Sequence, residues 1–89
     1  MGRETVLFKS EEKKTRSEIA EVLRLMADRV EQGRISLGNE AGHVDLDFPE
    51  NLTLEIKAEE ETGRKTKRSL EIELEWPVGG EEQGGAVIR

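Results

Sequence analysis

The clearest structural signal in the chain is the stretch Lys67-Arg68-Ser69-Leu70-Glu71-Ile72-Glu73-Leu74-Glu75-Trp76, in which aliphatic residues alternate with glutamate. Successive side chains of a β-strand point to opposite faces, so a period of two predicts a strand with one apolar and one acidic face. The same alternation over residues 52–59 predicts a second strand, and the polar stretch 60–67 between them predicts a hairpin. Pro77 ends the last strand, since proline cannot donate a ladder hydrogen bond.

The pairing expected within this hairpin places Ile56 opposite Leu70, which also sets Glu59 against Lys67 on the acidic face. A shorter hairpin is expected over residues 35–48, where apolar and polar residues alternate on both sides of a turn with glycine at each end. The two hairpins together supply four predicted strands.

A helix is expected between residues 15 and 32. Its start is marked by Thr15 and Glu18, which fit a capping box in which each side chain satisfies the other residue's backbone N–H. Gly33 suits the left-handed position that follows a helix. Between these signals the apolar residues recur at helical spacing and form one stripe: Ile19, Val22, Leu23, Met26 and Val30.

A further strand is expected near the start of the chain. The run Thr5-Val6-Leu7-Phe8-Lys9 is rich in β-forming residues and too short for a helix. We number the five predicted strands in chain order, so that this run is strand 1. If it lies beside strand 5, the sheet has the order 2-3-4-5-1 and is fully antiparallel. If it lies beside strand 2, the sheet is mixed. The predicted fold class is therefore α+β: one amphipathic helix packed on one face of a five-stranded, mainly antiparallel sheet, in the chain order β-α-β-β-β-β.

One domain is expected over residues 1–77, followed by a tail. Residues 78–89 are rich in glycine and glutamate and contain four glycines, which predicts a disordered segment.

The composition excludes several classes of function. The chain has 34% apolar and 38% charged residues, a net charge of −6, one histidine and no cysteine. Disulfides and thiolate chemistry are therefore excluded, and one histidine cannot by itself build a metal cage. The negative charge disfavours bulk attraction to nucleic acid or anionic lipid. No apolar run approaches the roughly 18 residues of a membrane span, and the N-terminus lacks the apolar segment of a signal peptide. We therefore expect a soluble, cytoplasmic protein that is not an enzyme and binds no cofactor, metal or membrane.

Three features coincide in a way that resembles a known family: the opening residues 4–8, the helix 15–33 and the closing run 67–76. Together they are similar to the amphi-Trp domain family, small prokaryotic proteins named for an amphipathic pattern that ends in a tryptophan. The resemblance covers residues 4–76, and the alternating run up to Trp76 is its most specific part. It implies one helix on an antiparallel sheet and a homodimer. It implies no established activity and no catalytic residue.

Two apolar residues are candidates for binding a partner. Trp76 is in phase with the apolar face of the last strand, so it is expected to cap the core, or alternatively to anchor a partner as exposed tryptophans do. Leu7, on the short first strand, is the second candidate. Because the apolar core is small for a chain of this length, a second copy would bury more apolar surface.

Four basic residues lie within five positions at the tip of the long hairpin: Arg64, Lys65, Lys67 and Arg68. The simpler interpretation is a solvated turn that offsets Glu59-Glu60-Glu61 in the same loop. The functional interpretation is a patch that contacts phosphates. The three aromatic residues of the chain all fall on predicted core positions, so the patch lacks the exposed rings that single-strand or RNA recognition usually needs, and nucleic acid is disfavoured.

The sequence gives little support for a metal-binding or catalytic role of the single histidine. His43 follows Gly42 in the turn and should be exposed, and a zinc site would need Asp45 and Asp47 on the same strand face. A role as general base would need Asp45 and a serine, for which Ser36 on the paired strand is the only candidate.

We therefore expect a non-catalytic, self-associating protein-interaction module, with binding of nucleic acid or a phosphate-bearing ligand at the basic tip as the alternative.

Overall fold

The computed structural model describes residues 2–79, which form one helix and four strands. The elements are α1 (Arg16–Gln32), β1 (Arg34–Asn39), β2 (Gly42–Asp47), β3 (Thr53–Thr62) and β4 (Thr66–Glu75). β1 pairs antiparallel with β2, and β3 pairs antiparallel with β4, giving two sheets of two strands each. The predicted α+β class with antiparallel pairing is confirmed. The predicted five-stranded sheet, and with it the order 2-3-4-5-1, is wrong.

The missing strand is the one expected over residues 5–9. Residues 2–15 contain no strand, and Val6 and Leu7 are 75% and 64% exposed, while Phe8 is half-buried. A run of β-forming residues describes side chains that suit a pleated surface, but a strand also needs a neighbour for its hydrogen bonds. This run has no such neighbour within the described residues.

The chain divides into two compact units, the first ending at Phe48 and the second beginning at Pro49. The single domain expected over residues 1–77 stays a prediction. Of the tail expected over residues 78–89, residues 80–89 lie outside the part of the chain that the structure describes. No helix within residues 2–79 is long and apolar enough to cross a membrane.

The ends of α1 confirm the expected signals. The backbone N–H of Glu18 donates to Thr15 Oγ1 at 3.1 Å, and the N–H of Thr15 donates to Glu18 Oε1 at 2.9 Å. Gly33 ends the helix at φ +92°, and its N–H donates to the carbonyls of Arg29 and Val30. These contacts satisfy backbone groups that a helix end otherwise leaves open.

The first unit has its core where α1 contacts β1. Ile35 is 7% exposed and is the one buried apolar side chain among the described residues. It pairs with Leu46, and the next pair on that face is Leu37 with Val44. The half-buried apolar residues of this unit include Val30, Leu37, Val44, Leu46 and Phe48. The earlier part of the helical stripe stays open, with Ile19, Val22, Leu23 and Met26 between 39% and 47% exposed.

The second unit is the hairpin β3–β4, whose register differs from the expected one by two residues. Ile56 lies opposite Ile72 instead of Leu70, and Glu59 lies opposite Ser69 instead of Lys67. A slip of two residues leaves every side chain on its original face, so the alternation cannot distinguish the two registers. The difference lies at the turn, where Thr62 pairs with Thr66 around residues 63–65.

Candidate functional site

One face of the β3–β4 hairpin is apolar along most of its length. Its apolar part consists of Leu54, Ile56, Ala58, Leu70, Ile72 and Leu74, and towards the turn the same face carries Glu60, Thr62, Thr66 and Arg68. We call this the apolar face. Four of its aliphatic side chains are open to solvent: Leu54 is 58% exposed, Ile56 64%, Leu70 68% and Ile72 53%. Contiguous exposed apolar surface of this kind marks interaction sites in soluble proteins.

The opposite face carries mostly carboxylates, and we call it the acidic face. It consists of Glu55, Lys57, Glu59, Glu61, Lys67, Ser69, Glu71, Glu73 and Glu75, with Thr53 at one end. Glu55 lies directly opposite Glu73. A hydrogen bond with Glu55 raises the pKa of Glu73, and repulsion by the Glu55, Glu75 and Glu71 charges raises it further. The protonated Glu73 can then donate to Glu55, which relieves the like-charge contact.

Lys57 relieves part of this repulsion at the middle of β3. Its Nζ lies 3.8 Å from Glu59 Oε2 on the same strand and 3.7 Å from Glu71 Oε1 on the partner strand. The charges of Glu59 and Glu71 raise the pKa of Lys57. Its side chain is 47% exposed, so it retains access to further carboxylates. Among residues 2–79, no group of three or more His, Asp or Glu side chains is placed to hold a metal ion.

The basic tip is mixed in charge. Arg68 Nε donates to Glu60 Oε1 at 2.6 Å, and Lys67 lies opposite Glu61. Arg64 and Lys65 lie in the connecting loop. A shallow cavity of about 410 Å³ at this end is lined by three carboxylates, two cations and a serine: Glu59, Glu60, Glu61, Lys67, Arg68 and Ser69. An anion approaching this cavity meets more negative than positive side chains. Phosphate binding at the tip stays a prediction.

The polar face of the β1–β2 hairpin holds a cluster centred on Asp45. Ser36 Oγ donates to Asp45 Oδ1 at 2.6 Å, and His43 Nε2 lies 3.1 Å from the same oxygen. Arg34 donates from Nη2 to Asp45 Oδ2 at 3.1 Å and from Nη1 to Asp47 Oδ1 at 3.0 Å. The hydrogen bond from Ser36 holds the pKa of Asp45 below its usual value, helped by Arg34 and His43.

The order of these groups does not suit nucleophilic catalysis. In a serine hydrolase the histidine lies between serine and carboxylate, so that it can take the hydroxyl proton. Here Asp45 lies between Ser36 and His43, and its lowered pKa makes it a poor base. The sequence predicts Ser36, His43 and Asp45 as a set and gives no signal that Arg34 joins them. The register of β1 on β2 brings it in, because Arg34 lies opposite Asp47.

The two residues expected to bind a partner lie in different units. Trp76 directly follows β4 and is half-buried. Leu7 precedes α1 in a segment without regular structure and is 64% exposed. A role for either in binding a partner stays a prediction.

Comparison with known proteins identifies one family. The sequence profile of the Amphi-Trp domain matches residues 1–89, which extends beyond the residues 4–76 that carry the resemblance. No curated protein and no solved structure matches the chain. A match over the whole length, together with the alternating run that ends at Trp76, shows that the chain belongs to the Amphi-Trp domain family.

Proposed function

We propose that this chain is a non-catalytic protein-interaction module that works in the cytoplasm and associates with a second copy of itself through the β3–β4 hairpin. The observation that carries the proposal is the exposed apolar face, with four aliphatic side chains between 53% and 68% exposed on a sheet of two strands. An isolated two-stranded hairpin is marginally stable in water, so this unit gains from a partner that covers or extends it.

The energies favour a weak dimer. Covering a large aliphatic side chain contributes about 1.5–3 kcal/mol. Four such side chains on each copy, already partly covered, therefore set an upper limit on the order of 10 kcal/mol, which only a dimer that covers the whole apolar face reaches. Association costs about 4–15 kcal/mol in lost freedom of movement. Because the two quantities are similar, we expect the dimer to depend on protein concentration.

The cluster around Asp45 supports the non-catalytic part of the proposal. Its serine proton is held by a carboxylate whose pKa is lowered, and the cation of the cluster, Arg34, joins Asp45 to Asp47. Each contact of the cluster joins β1 to β2 or joins two residues of β2. Cross-strand contacts of this kind stabilise a hairpin.

The first test is size exclusion coupled to light scattering, over a wide range of protein concentration at low and high salt. Apolar association persists at high salt, whereas contacts with phosphates weaken steeply. We expect a concentration-dependent dimer at both salt concentrations, with no nucleic-acid absorbance in the peak. A monomer at every concentration contradicts the proposal. A monomer that carries nucleic acid released by salt favours the basic tip instead.

A pair of lysine substitutions tests the surface. Ile56→Lys places a charge in the middle of the apolar face and should leave the protein monomeric at concentrations where the unsubstituted chain is a dimer. Ser69→Lys adds the same charge on the acidic face of the same hairpin, opposite Glu59, and should keep the dimer. Circular dichroism checks that both variants retain their strands. Equal behaviour of the two variants contradicts the assignment of this surface.

A further inference from the structure

The outer edge of β3 is the part of the hairpin that best fits a second copy. β3 pairs with β4 along one side, and within residues 2–79 no strand pairs with its other side. An edge of ten residues presents a row of backbone N–H and C=O groups that can hydrogen-bond to another strand. We propose that two copies pair edge to edge and antiparallel along β3, with Ile56 on the two-fold axis. This inference rests on the proposed function and gives it a geometry.

The register follows from symmetry and from the order of side chains in β3. In a two-fold antiparallel pair centred on Ile56, that residue meets Ile56 of the second copy. On the same face Leu54 meets Ala58, and on the acidic face Glu55 meets Lys57, each pair occurring twice. Every apolar side chain therefore opposes an apolar one, and the central charges are of opposite sign. Cross-strand pairs of these kinds stabilise a sheet.

Other symmetric registers are less favourable. Centring the pair on Ala58, Ile72 or Leu74 sets glutamate against glutamate on the acidic face. Centring it on Leu70 avoids this but sets Arg68 against Ile72 on the apolar face. Like charges directly opposite each other destabilise a strand pair. The sequence of β3 around Ile56 is self-complementary on both faces, and the sequence of β4 is not.

The resulting dimer has a continuous sheet in the order β4-β3-β3-β4. The apolar faces of both copies lie on one side of this sheet and the acidic faces on the other, so the dimer covers the apolar face along the seam, where Leu54, Ile56 and Ala58 of the two copies meet. The side chain of Lys57 is 47% exposed, which leaves it able to reach Glu55 of the second copy. Its contacts with Glu59 and Glu71 are long, at 3.8 Å and 3.7 Å, so an additional carboxylate does not have to displace a tight ion pair.

Charge exchange between Glu55 and Lys57 tests this register. Glu55→Lys should weaken the dimer by about tenfold in Kd, because it sets lysine against lysine at both symmetric pairs. Lys57→Glu should weaken it similarly by setting glutamate against glutamate. The double variant E55K/K57E restores opposite charges in reversed order and should return the Kd to within about threefold of the original. Sedimentation equilibrium measures the three values.

A matched control separates the dimer contact from the stability of the hairpin. Glu55 and Glu75 both raise the pKa of Glu73 by repulsion, so replacing either with lysine should stabilise the β3–β4 hairpin. Glu55→Lys should therefore raise the melting temperature of the dilute monomer while weakening the dimer. Glu75→Lys makes the same change of charge at the end of β4 and should leave the Kd unchanged within about threefold.

Proximity measurements provide a second test that does not depend on charge. The chain has no cysteine, so Ile56→Cys and Ile72→Cys each introduce one attachment point for a spin label. Edge pairing puts the backbones at position 56 of the two copies roughly 5 Å apart and those at position 72 roughly 14 Å apart. Face-to-face stacking of the hairpins instead gives both positions similar separations, roughly 10 Å.

The outcomes distinguish the two proposals. A dimer that Ile56→Lys disrupts but that neither Glu55→Lys nor Lys57→Glu weakens overturns the edge register and leaves self-association standing. Equal label separations at positions 56 and 72 do the same. Failure of the folded double variant to regain the dimer also overturns the register. A monomeric unsubstituted chain overturns both proposals.

Discussion

The two hairpins of this chain show the same alternation of apolar and polar residues but differ in the charges on their polar faces. On the polar face of β1–β2, Asp45 accepts hydrogen bonds from Ser36 and Arg34 and contacts His43. On the acidic face of β3–β4, Glu55 lies directly opposite Glu73. Alternation is sufficient to make each segment a strand, but the order of charges across the strands decides whether the polar face holds its hairpin together.

The apolar faces differ in the same direction. Ile35 of β1 is 7% exposed, whereas Ile56 of β3 is 64% exposed. The first hairpin follows a capped helix that contacts β1. The second hairpin has no helix within its unit. The same pattern therefore produces one hairpin with a buried isoleucine beside a helix and another hairpin whose apolar face is mostly exposed.

Replacing the equivalent isoleucines should produce very different losses of stability. Ile35→Ala leaves a cavity where the buried Ile35 side chain was, and it should lower the free energy of unfolding of the first unit by about 2–5 kcal/mol. Ile56→Ala in the dilute monomer removes a side chain that is already mostly solvated, so the loss should stay below about 1 kcal/mol. Urea unfolding followed by circular dichroism measures both. Equal losses would show that Ile56 is covered within one chain.

The junction between α1 and β1 should be sensitive to a single methyl group. Gly33 has φ +92°, a conformation that strains any residue with a Cβ, so Gly33→Ala should cost about 1 kcal/mol. Gly42→Ala is the matched control, because a Cβ there also meets nothing within 4 Å and its φ lies outside the left-handed range. Thermal unfolding should show a lower melting temperature for Gly33→Ala alone. A comparable fall in Gly42→Ala would remove the backbone explanation.

Acidification should affect the two hairpins in opposite directions. The pKa of Asp45 is lowered, chiefly by the hydrogen bond from Ser36, so its stabilisation is present above the unfolded-state pKa and is lost as the pH falls through the folded-state pKa. The pKa of Glu73 is raised, chiefly by the hydrogen bond with Glu55, so its stabilisation is present below the unfolded-state pKa and is lost as the pH rises through the folded-state value. Lowering the pH from neutrality should therefore strengthen β3–β4 first, and further acidification below the usual aspartate range should weaken β1–β2.

Amide hydrogen exchange measured by NMR follows the two hairpins separately, since each amide reports its own local opening. We expect protection in β3–β4 to increase on mild acidification in the unsubstituted chain and to change less in Glu73→Gln. Asp45→Asn should remove the low-pH loss of protection in β1–β2. Loss of protection in both hairpins over the same pH range would contradict the assignment.

Local signals predicted the helix and its ends correctly. The capping box of Thr15 and Glu18 and the glycine at residue 33 act within a few residues, and the structure contains both. The two hairpins were also predictable, because alternation and turn residues specify strands and the faces of their side chains. The register of β3 on β4 was not, because a shift of two residues preserves both faces and only the turn at residues 63–65 decides between them.

The candidate sites show the same limit. The exposed apolar residues of β3–β4 were visible as one alternating set, but a sequence pattern describes a face without saying whether anything covers it. The Asp45 cluster required the pairing of β1 with β2, since Arg34 and Asp47 are far apart in the chain and meet only as cross-strand neighbours. Residues 5–9 were predicted as a strand from composition, and the prediction failed because pairing is a property of two segments.

Sequence patterns alone specify the helix, the four strands of the two hairpins, the side on which each side chain lies and membership of the Amphi-Trp domain family. Each of these depends on residues close together in the chain or on a pattern with a fixed period. The number of sheets, the register of the long hairpin, the cluster around Asp45 and the exposure of the apolar face depend on how the chain folds. Those features arise from distant segments that compete for the same hydrogen bonds and the same apolar surface, and alternation alone does not rank the competing arrangements.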